Sequence, residues 1–215
     1  MEVAVTSISE KSTRVLDELV RHGLLLKSDP KLPSVTTLVA GEPVKGSWWG
    51  HPRSHEIFGV LEELADQPDV TLVKLISGKD TFVHKRLWNS LFAIGSSQEA
   101  WQLAELSSPA RALFGTVISS GQIRTDQIQG PEHTSPKVVA EAARDLERRL
   151  LVQARQIHTD SGAHAKVLET WKHWASRLAL TTPAQALAGR ARQDFENILF
   201  ELNREFNAKG RLPWV

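Results

Sequence analysis

The chain has 215 residues, a formal net charge of +1 and 41% hydrophobic residues, enough for one or two packed domains. This near-neutral balance supplies no global attraction to nucleic acid or membranes, so any basic surface must be local. Because cysteine is absent, disulfides, thiolate metal sites and a cysteine nucleophile are excluded. The sequence shows neither a leader-like N-terminus nor an apolar run near the roughly 20 residues of a spanning helix, which predicts a cytoplasmic protein without membrane partners.

The first third of the chain is predicted to be mainly helical. Apolar residues at helical spacing predict a helix over residues 7–22, which Gly23 ends. A short helix is expected over residues 35–40, before Gly41. A further helix begins at Pro52 or Ser54, continues to about Asp66, and buries one stripe of side chains: Ile57, Val60, Leu61 and Leu64.

Residues 70–88 alternate between apolar and polar side chains, as a β-hairpin does. The connection at residues 77–80 is typical of a Gly-X turn. We expect this hairpin to pack behind the preceding helix, which would bury Val73, Leu75 and Phe82.

A second series of elements follows from residue 107. The Ser-Ser-Pro-Ala sequence at 107–110 is a helix start, its stripe includes Leu113, Val117 and Ile118, and Gly121 can end it. One short turn is expected over residues 125–128, with an end at Gly130-Pro131. We then expect a helix over 135–150, a hairpin over 151–171 that turns at 160–162, and a long helix from Thr182-Pro183 to Gly210.

Short helix, longer helix and hairpin thus occur at residues 35–88 and again at 124–171. This order indicates either an architectural repeat or one α+β domain whose elements fall in that sequence. We predict an α+β fold, mostly helical, with units at residues 1–96 and 97–180 and a docked C-terminal helix at 181–215.

Residues 107–171 resemble the winged-helix (winged helix-turn-helix) superfamily. The resemblance rests on residues 123–128, on the helix start Ser135-Pro136-Lys137 and on the turn Asp160-Ser161-Gly162. It implies a C-terminal winged helix whose helix enters the major groove of double-stranded DNA while the hairpin follows the backbone. If the repeated order of elements is an architectural repeat, a winged-helix-like unit precedes it. The leading prediction is therefore non-catalytic DNA binding without a cofactor.

The predicted third helix of this series carries four charged residues on the face opposite its apolar stripe: Lys137, Glu141, Arg144 and Arg148. Lysine and arginine contact phosphates and guanine edges. Glu141 repels phosphate but can accept a hydrogen bond from the amino group of cytosine. The alternative is an ordinary solvated face on which Glu141 pairs with its neighbours.

The hairpin offers a second group of candidate DNA contacts. A turn at residues 160–162 pairs position 156 with 166 and position 158 with 164, so these side chains share one face. Together with the neighbouring Arg155, the candidate phosphate contacts on the hairpin are His158, His164 and Lys166. The alternative is an exposed polar hairpin.

A glycine-bracketed loop is the most unusual local sequence. It contains the candidate ligand residues Trp48, Trp49, His51, Arg53 and His55. Paired tryptophans can stack on a base, but core or interface packing is favoured. His51 and His55, with His84 as a third ligand, would suggest a metal site. Because Pro52 biases His51 away from helical geometry, we predict no metal site. The sequence contains no phosphate-cradling glycine loop, nucleophile elbow or carboxylate cluster, so we predict no catalytic residue.

Two further functions stay open. The first is a protein-interaction module that uses the winged-helix surface for a partner or a homodimer. The second is a nucleic-acid-processing enzyme with its site near residues 48–56. Gln127-Ile128-Gln129 is similar to the Gln-x-Gln motif of tandem winged-helix DNA glycosylases, although the surrounding family pattern is missing.

Overall fold

The computed structural model describes residues 9–128, 135–158, 164–180 and 187–215. The fold is α+β, with helices in the majority and two small three-stranded sheets. Within the described ranges, none of the helices has the length and apolar content needed to span a bilayer.

The chain divides into two compact units, each built from separate stretches of the sequence. The first unit comprises Met1–Leu72, Lys79–Leu87 and Asn197–Gly210, and the second comprises Val73–Gly78, Trp88–Glu196 and Arg211–Val215. The C-terminal helix contributes residues to both units, so chain order alone does not define them.

The described residues of the first half of the chain form three α-helices and one antiparallel sheet. Its elements are α1 (Glu10–His22), β1 (Leu24–Leu26), α2 (Val35–Ala40), a 3₁₀ turn (Trp48–Gly50), α3 (Ser54–Ala65), β2 (Val70–Lys74), a 3₁₀ turn (Ile76–Gly78) and β3 (Asp80–His84). The sheet order is β1-β3-β2, and Leu25 pairs with Phe82. The predicted helices are confirmed, with α1 beginning at Glu10. The hairpin is confirmed too, but its second strand ends at His84, and Trp88 begins the next helix instead of ending the hairpin. Val73, Leu75 and Phe82 are buried.

The second half contains the other sheet. Its elements are α4 (Trp88–Ser96), α5 (Ala100–Leu103), α6 (Ser108–Ser120), β4 (Gln122–Arg124), a 3₁₀ turn (Thr125–Gln127), α7 (Pro136–Arg148), β5 (Gln153–His158), β6 (His164–Glu169), α8 (Trp171–Arg177) and α9 (Ala188–Glu205). The sheet order is β4-β6-β5, and Ile123 pairs with Leu168. The predicted helix before the hairpin and the hairpin strands are confirmed.

The two halves share one order of elements, which we call the first motif (α1 to β3) and the second motif (α6 to β6). Ser9 and Ser107 cap α1 and α6, and Gly23 and Gly121 end them, each pair 98 positions apart. The buried stripes of α3 and α7 match at a separation of 82 positions: Ile57 with Val139, Val60 with Ala142, Leu61 with Ala143 and Leu64 with Leu146. The two motifs therefore share both the order of their elements and the positions that are buried in α3 and α7.

Three local expectations were wrong. Ile118 is 50% exposed and so lies outside the buried stripe of α6. The hairpin connection contains a 3₁₀ turn with Ser77 at φ 53° and Gly78 at φ 67°, because β2 ends at Lys74, earlier than a two-residue Gly-X turn requires. Helix α9 ends at Glu205 rather than near Gly210, since Asn207 adopts a left-handed φ of 47°.

Three predicted boundaries lie outside the described residues. They are the end of the short turn at Gly130-Pro131, the hairpin turn at residues 160–162, and the helix start at Thr182-Pro183. These stay predictions.

Candidate nucleic-acid interface

Helix α7 is positioned by its cap and by one apolar stripe. The Ser135 hydroxyl accepts a hydrogen bond from the Val138 amide at 3.4 Å, and Pro136 occupies a first-turn position that lacks a helical hydrogen bond anyway. The stripe around Ala142 and Leu146 packs into a core with α6 and the second sheet. The opposite face is thereby turned to solvent.

All four charged residues predicted for this face are exposed: Lys137, Glu141, Arg144 and Arg148. Within the described ranges, neither Lys137, Arg144 nor Arg148 forms an ion pair or a side-chain hydrogen bond. The Arg148 side chain runs beside Gly78, 3.7–3.9 Å from where a Cβ on that glycine would lie. Glu141 is the acidic residue among the four charged residues of this face, and the other three are cations.

The other acidic residues of α7 are already paired. Asp145 accepts a hydrogen bond from the Arg149 guanidinium at 2.8 Å, one turn along the helix. The buried Glu147 contacts the Lys166 ammonium at 2.5 Å. Their charges therefore add little negative potential to the outer face.

The predicted register of the hairpin is confirmed in the strands. Gln156 pairs with Lys166, Ile157 with Ala165, and His158 with His164. The side chains of both histidines and the loop at 159–163 lie outside the described residues. The expected histidine contacts with phosphate therefore stay predictions.

Lys166 has a different environment from the one expected. Its ammonium binds Glu147 on α7, and its backbone amide donates to the Thr125 hydroxyl at 2.9 Å. The lysine therefore connects the hairpin to α7 and to the 3₁₀ turn. Arg155 is exposed, and strand alternation places it on the opposite face from Gln156, away from the Lys166 face.

A groove of about 690 Å³ separates α7 from the hairpin. Its apolar lining comprises Ile128, Pro136, Val139, Ala140, Ala143 and Ala165. Its polar lining comprises Thr125, Asp126, Arg144, Gln156 and Lys166. Arg144 and Lys166 were predicted from the sequence, but Thr125 was not. No local pattern shows that the Thr125 hydroxyl accepts a hydrogen bond from the backbone amide of Lys166.

Asp126 also lines this groove, but its charge is compensated. The Arg124 guanidinium donates to both carboxylate oxygens, at 2.8 and 3.2 Å, and these hydrogen bonds hold the pKa of Asp126 below its ordinary value. Asp126 is therefore ionised at neutral pH and locally neutralised by its neighbour.

The two tryptophans of the glycine-bracketed loop have different environments. Trp48 is 8% exposed and packs in the core with α3, whereas Trp49 is 63% exposed. Their rings stack with centroids 4.1 Å apart and planes at 24°. The favoured packing interpretation therefore holds for Trp48 only.

The remaining loop residues do not converge on a reactive centre. His51 has an extended backbone (φ −76°, ψ 142°) before α3, so His51 and His55 do not share a helix face. The Nδ1 atom of His51 accepts a hydrogen bond from the Arg53 backbone amide at 3.1 Å, and the Nε2 atom of His51 lies 3.6 Å from the Glu42 carboxylate. Across the described ranges, no three His, Asp or Glu side chains are arranged to hold a metal ion.

Arg53 is used within the fold. Its guanidinium binds the Glu56 carboxylate at 2.9 Å and the Ala40 carbonyl at 3.2 Å, and Lys11 contacts the same carboxylate. Hydrogen bonds from Arg53 and then Lys11 lower the pKa of Glu56 to about 2. A carboxylate with so low a pKa is a weak general base, so nothing at Glu56 favours the enzyme alternative.

No family model, no curated protein and no solved structure matches this chain.

Proposed function

We propose that the second motif is a winged helix that binds double-stranded DNA through the outer face of α7. The observation that carries the proposal is the set of exposed cations without ion-pair partners in the described ranges: Lys137, Arg144 and Arg148. The order helix, strand, turn, helix, hairpin, with the first strand paired to the last, supports the winged-helix assignment.

Each cation has a role that follows from its place on the helix. Lys137 lies in the first turn, where the backbone amides also favour phosphate. Arg144 borders the groove beside the hairpin, where a guanidinium can bind a phosphate or the O6 and N7 atoms of guanine. Glu141 lies between them and can accept from a cytosine amino group.

The hairpin has a positioning role in this proposal. Since Lys166 is bound to Glu147, its charge fixes the distance between β6 and α7 instead of meeting the backbone directly. Candidate hairpin contacts with phosphate are thereby reduced to Arg155 on one face and the two histidines near the turn.

Duplex titrations test the proposal. Fluorescence anisotropy with a labelled duplex at three salt concentrations should show affinity that falls steeply with salt, because phosphate contacts release counterions. Arg144→Ala and Arg148→Ala should each cost about 1–3 kcal/mol of binding. Arg111→Ala removes an exposed α6 arginine that likewise lacks a partner in the described ranges, and should leave affinity unchanged.

Two results would contradict the proposal. Binding that ignores salt would exclude a phosphate-driven interface. Equal losses in Arg144→Ala and Arg111→Ala would show that α7 has no special role. Gel analysis of the duplex after incubation separates the enzyme alternative, since strand cleavage or base loss would establish catalysis.

A further inference from the structure

The outer face of α3 and the neighbouring Trp49 form what we call the acidic aromatic surface, defined by Trp49, Phe58, Glu62 and Asp66. Trp49 and Phe58 are 63% and 43% exposed, with ring centroids 5.8 Å apart. Glu62 follows Phe58 by one helical turn, and Asp66 follows Glu62 by another. Exposed aromatic residues in contact with one another are typical of interaction sites.

The aromatic part of this surface is preformed. Trp49 stacks on Trp48, and Trp48 is itself fixed in the core that contains Ile57 and Phe82. Since Trp48 occupies the inward position, Trp49 is supported from below while its other face stays in solvent. A ligand that covers Trp49 would therefore lose little entropy in ordering the site.

The charge of the surface is negative and uncompensated. Among the described residues, neither Glu62 nor Asp66 has an ion pair or a side-chain hydrogen bond. Helix α3 contains no lysine or arginine, and the nearby cations Arg53 and Lys11 are both bound to Glu56. In the preceding loop the formal charges of Glu42 and Lys45 cancel.

We propose that the acidic aromatic surface binds a basic segment of a partner protein. Lysine or arginine side chains of that segment would lie over the Trp49 ring as cation–π partners and pair with Glu62 and Asp66. Nucleic acid is disfavoured because its phosphates would meet two free carboxylates on a helix without basic residues. This interface is separate from the DNA proposal, since all its residues belong to the first motif.

A peptide selection tests the chemistry of the partner. A phage-displayed library of random dodecapeptides is selected on the full-length wild-type protein, after removal of peptides that bind Trp49→Ala. We expect enriched sequences with net positive charge and several lysine or arginine residues. Enrichment of acidic or uncharged sequences, or no enrichment above the Trp49→Ala background, would overturn the proposal.

Titration of the most enriched peptide then tests the residues. By fluorescence anisotropy, Trp49→Ala and Phe58→Ala should each weaken binding at least tenfold, and Glu62→Lys should weaken it further. Phe200→Ala removes an aromatic residue that is 65% exposed on α9 and should stay within twofold of wild type. Equal losses in Trp49→Ala and Phe200→Ala would overturn the assignment.

Two competing occupants are tested with the same proteins. Oligothymidine that binds in a Trp49-dependent manner would replace the peptide proposal with single-stranded nucleic acid. A dimer in sedimentation velocity that Trp49→Ala dissociates would replace it with a second copy of the chain. Arg144→Ala should bind the peptide like wild type, so failure of the DNA proposal leaves this result interpretable.

Discussion

Helices α3 and α7 occupy the same place in the two motifs but carry opposite charges on their outer faces. When the buried stripes of the two helices are aligned, the outer-face residues Glu62 and Arg144 correspond, as do Asp66 and Arg148, each pair 82 positions apart. The stripe itself stays apolar in both helices, because it is buried in a core. The comparison shows that burial constrains one face of the helix, while the exposed face is free to acquire a different partner.

The motifs also differ in the segment that joins β1 to α3 in the first motif and β4 to α7 in the second. The first motif places α2 and the tryptophan loop there, whereas the second has a 3₁₀ turn among the described residues of that segment. The aromatic surface of the first motif therefore has no counterpart in the described part of the second. A shared order of elements does not imply a shared function.

The largest effect is expected where the helices that follow the two hairpins pack together. A Cβ at Gly95 on α4 would overlap the indole of Trp171 on α8, and that ring is held by a hydrogen bond from its Nε1 to the Leu150 carbonyl at 2.6 Å. Gly95→Ala should therefore cost about 3 kcal/mol or more of unfolding free energy. Thermal unfolding measures this as a Tm lower by about 6 °C or more.

Gly115→Ala is the matched control for this prediction. An added Cβ at Gly115, inside α6, meets nothing within 4 Å. This substitution should raise stability by up to about 1 kcal/mol, because alanine favours helix more than glycine does. Equal effects at positions 95 and 115 would contradict the packing of α4 on α8.

A smaller effect is expected from breaking the contact between hairpin and helix in the second motif. Lys166→Met leaves the buried Glu147 carboxylate without its cation and should cost about 1–3 kcal/mol of unfolding free energy. Lys137→Met, at an exposed α7 lysine, should change stability by less than about 0.5 kcal/mol. Urea denaturation of both variants checks this, and a stable Lys166→Met would show that the ion pair does not hold the hairpin.

Replacing one exposed glutamate by glutamine in each helix tests whether the charge of the outer face determines duplex binding. Glu141→Gln removes the acidic residue from the outer face of α7 and should tighten duplex binding about 3- to 10-fold, because phosphate repulsion is lost. Glu62→Gln removes a carboxylate from α3 and should leave duplex affinity unchanged. Anisotropy titrations at one salt concentration compare them. Weaker duplex binding by Glu141→Gln would instead indicate that Glu141 accepts from cytosine.

The smallest effect concerns pH. Hydrogen bonds from Arg53 and Lys11 lower the pKa of Glu56 from 4.5 to about 2, so the ion pairs stabilise the fold above pH 4.5 and that contribution disappears as pH falls towards 2. The Tm of wild type should exceed that of Glu56→Gln by only about 1–2 °C at pH 7 in low salt, since the pairs are exposed. The difference should vanish near pH 2 or in 1 M salt.

Glu62→Gln serves as the control because that carboxylate has no partner among the described residues. Its Tm should follow wild type at every pH. A pH-independent difference between wild type and Glu56→Gln would contradict the role of ionisation.

Local sequence determined most of the elements because their signals are local. Serine caps before α1, α6 and α7 and the left-handed glycine after α1 place the helix ends, and periodicity places the buried stripe of α3. The register of β5 and β6 followed from a turn predicted at residues 160–162, since the period of two leaves few alternatives when one face is buried. The charged face of α7 was predictable because helical spacing places those residues opposite the buried stripe.

Tertiary structure decided what depends on distant residues. The pairing of β1 with β3 and of β4 with β6 joins strands far apart in the sequence, and no local pattern specifies it. The pairing of Lys166 with Glu147 likewise required the sheet to bring β6 to α7, which changed a candidate phosphate contact into a structural one. For Trp48 and Trp49, adjacent residues of the same type, only the position of the core determined which ring is buried and which is exposed.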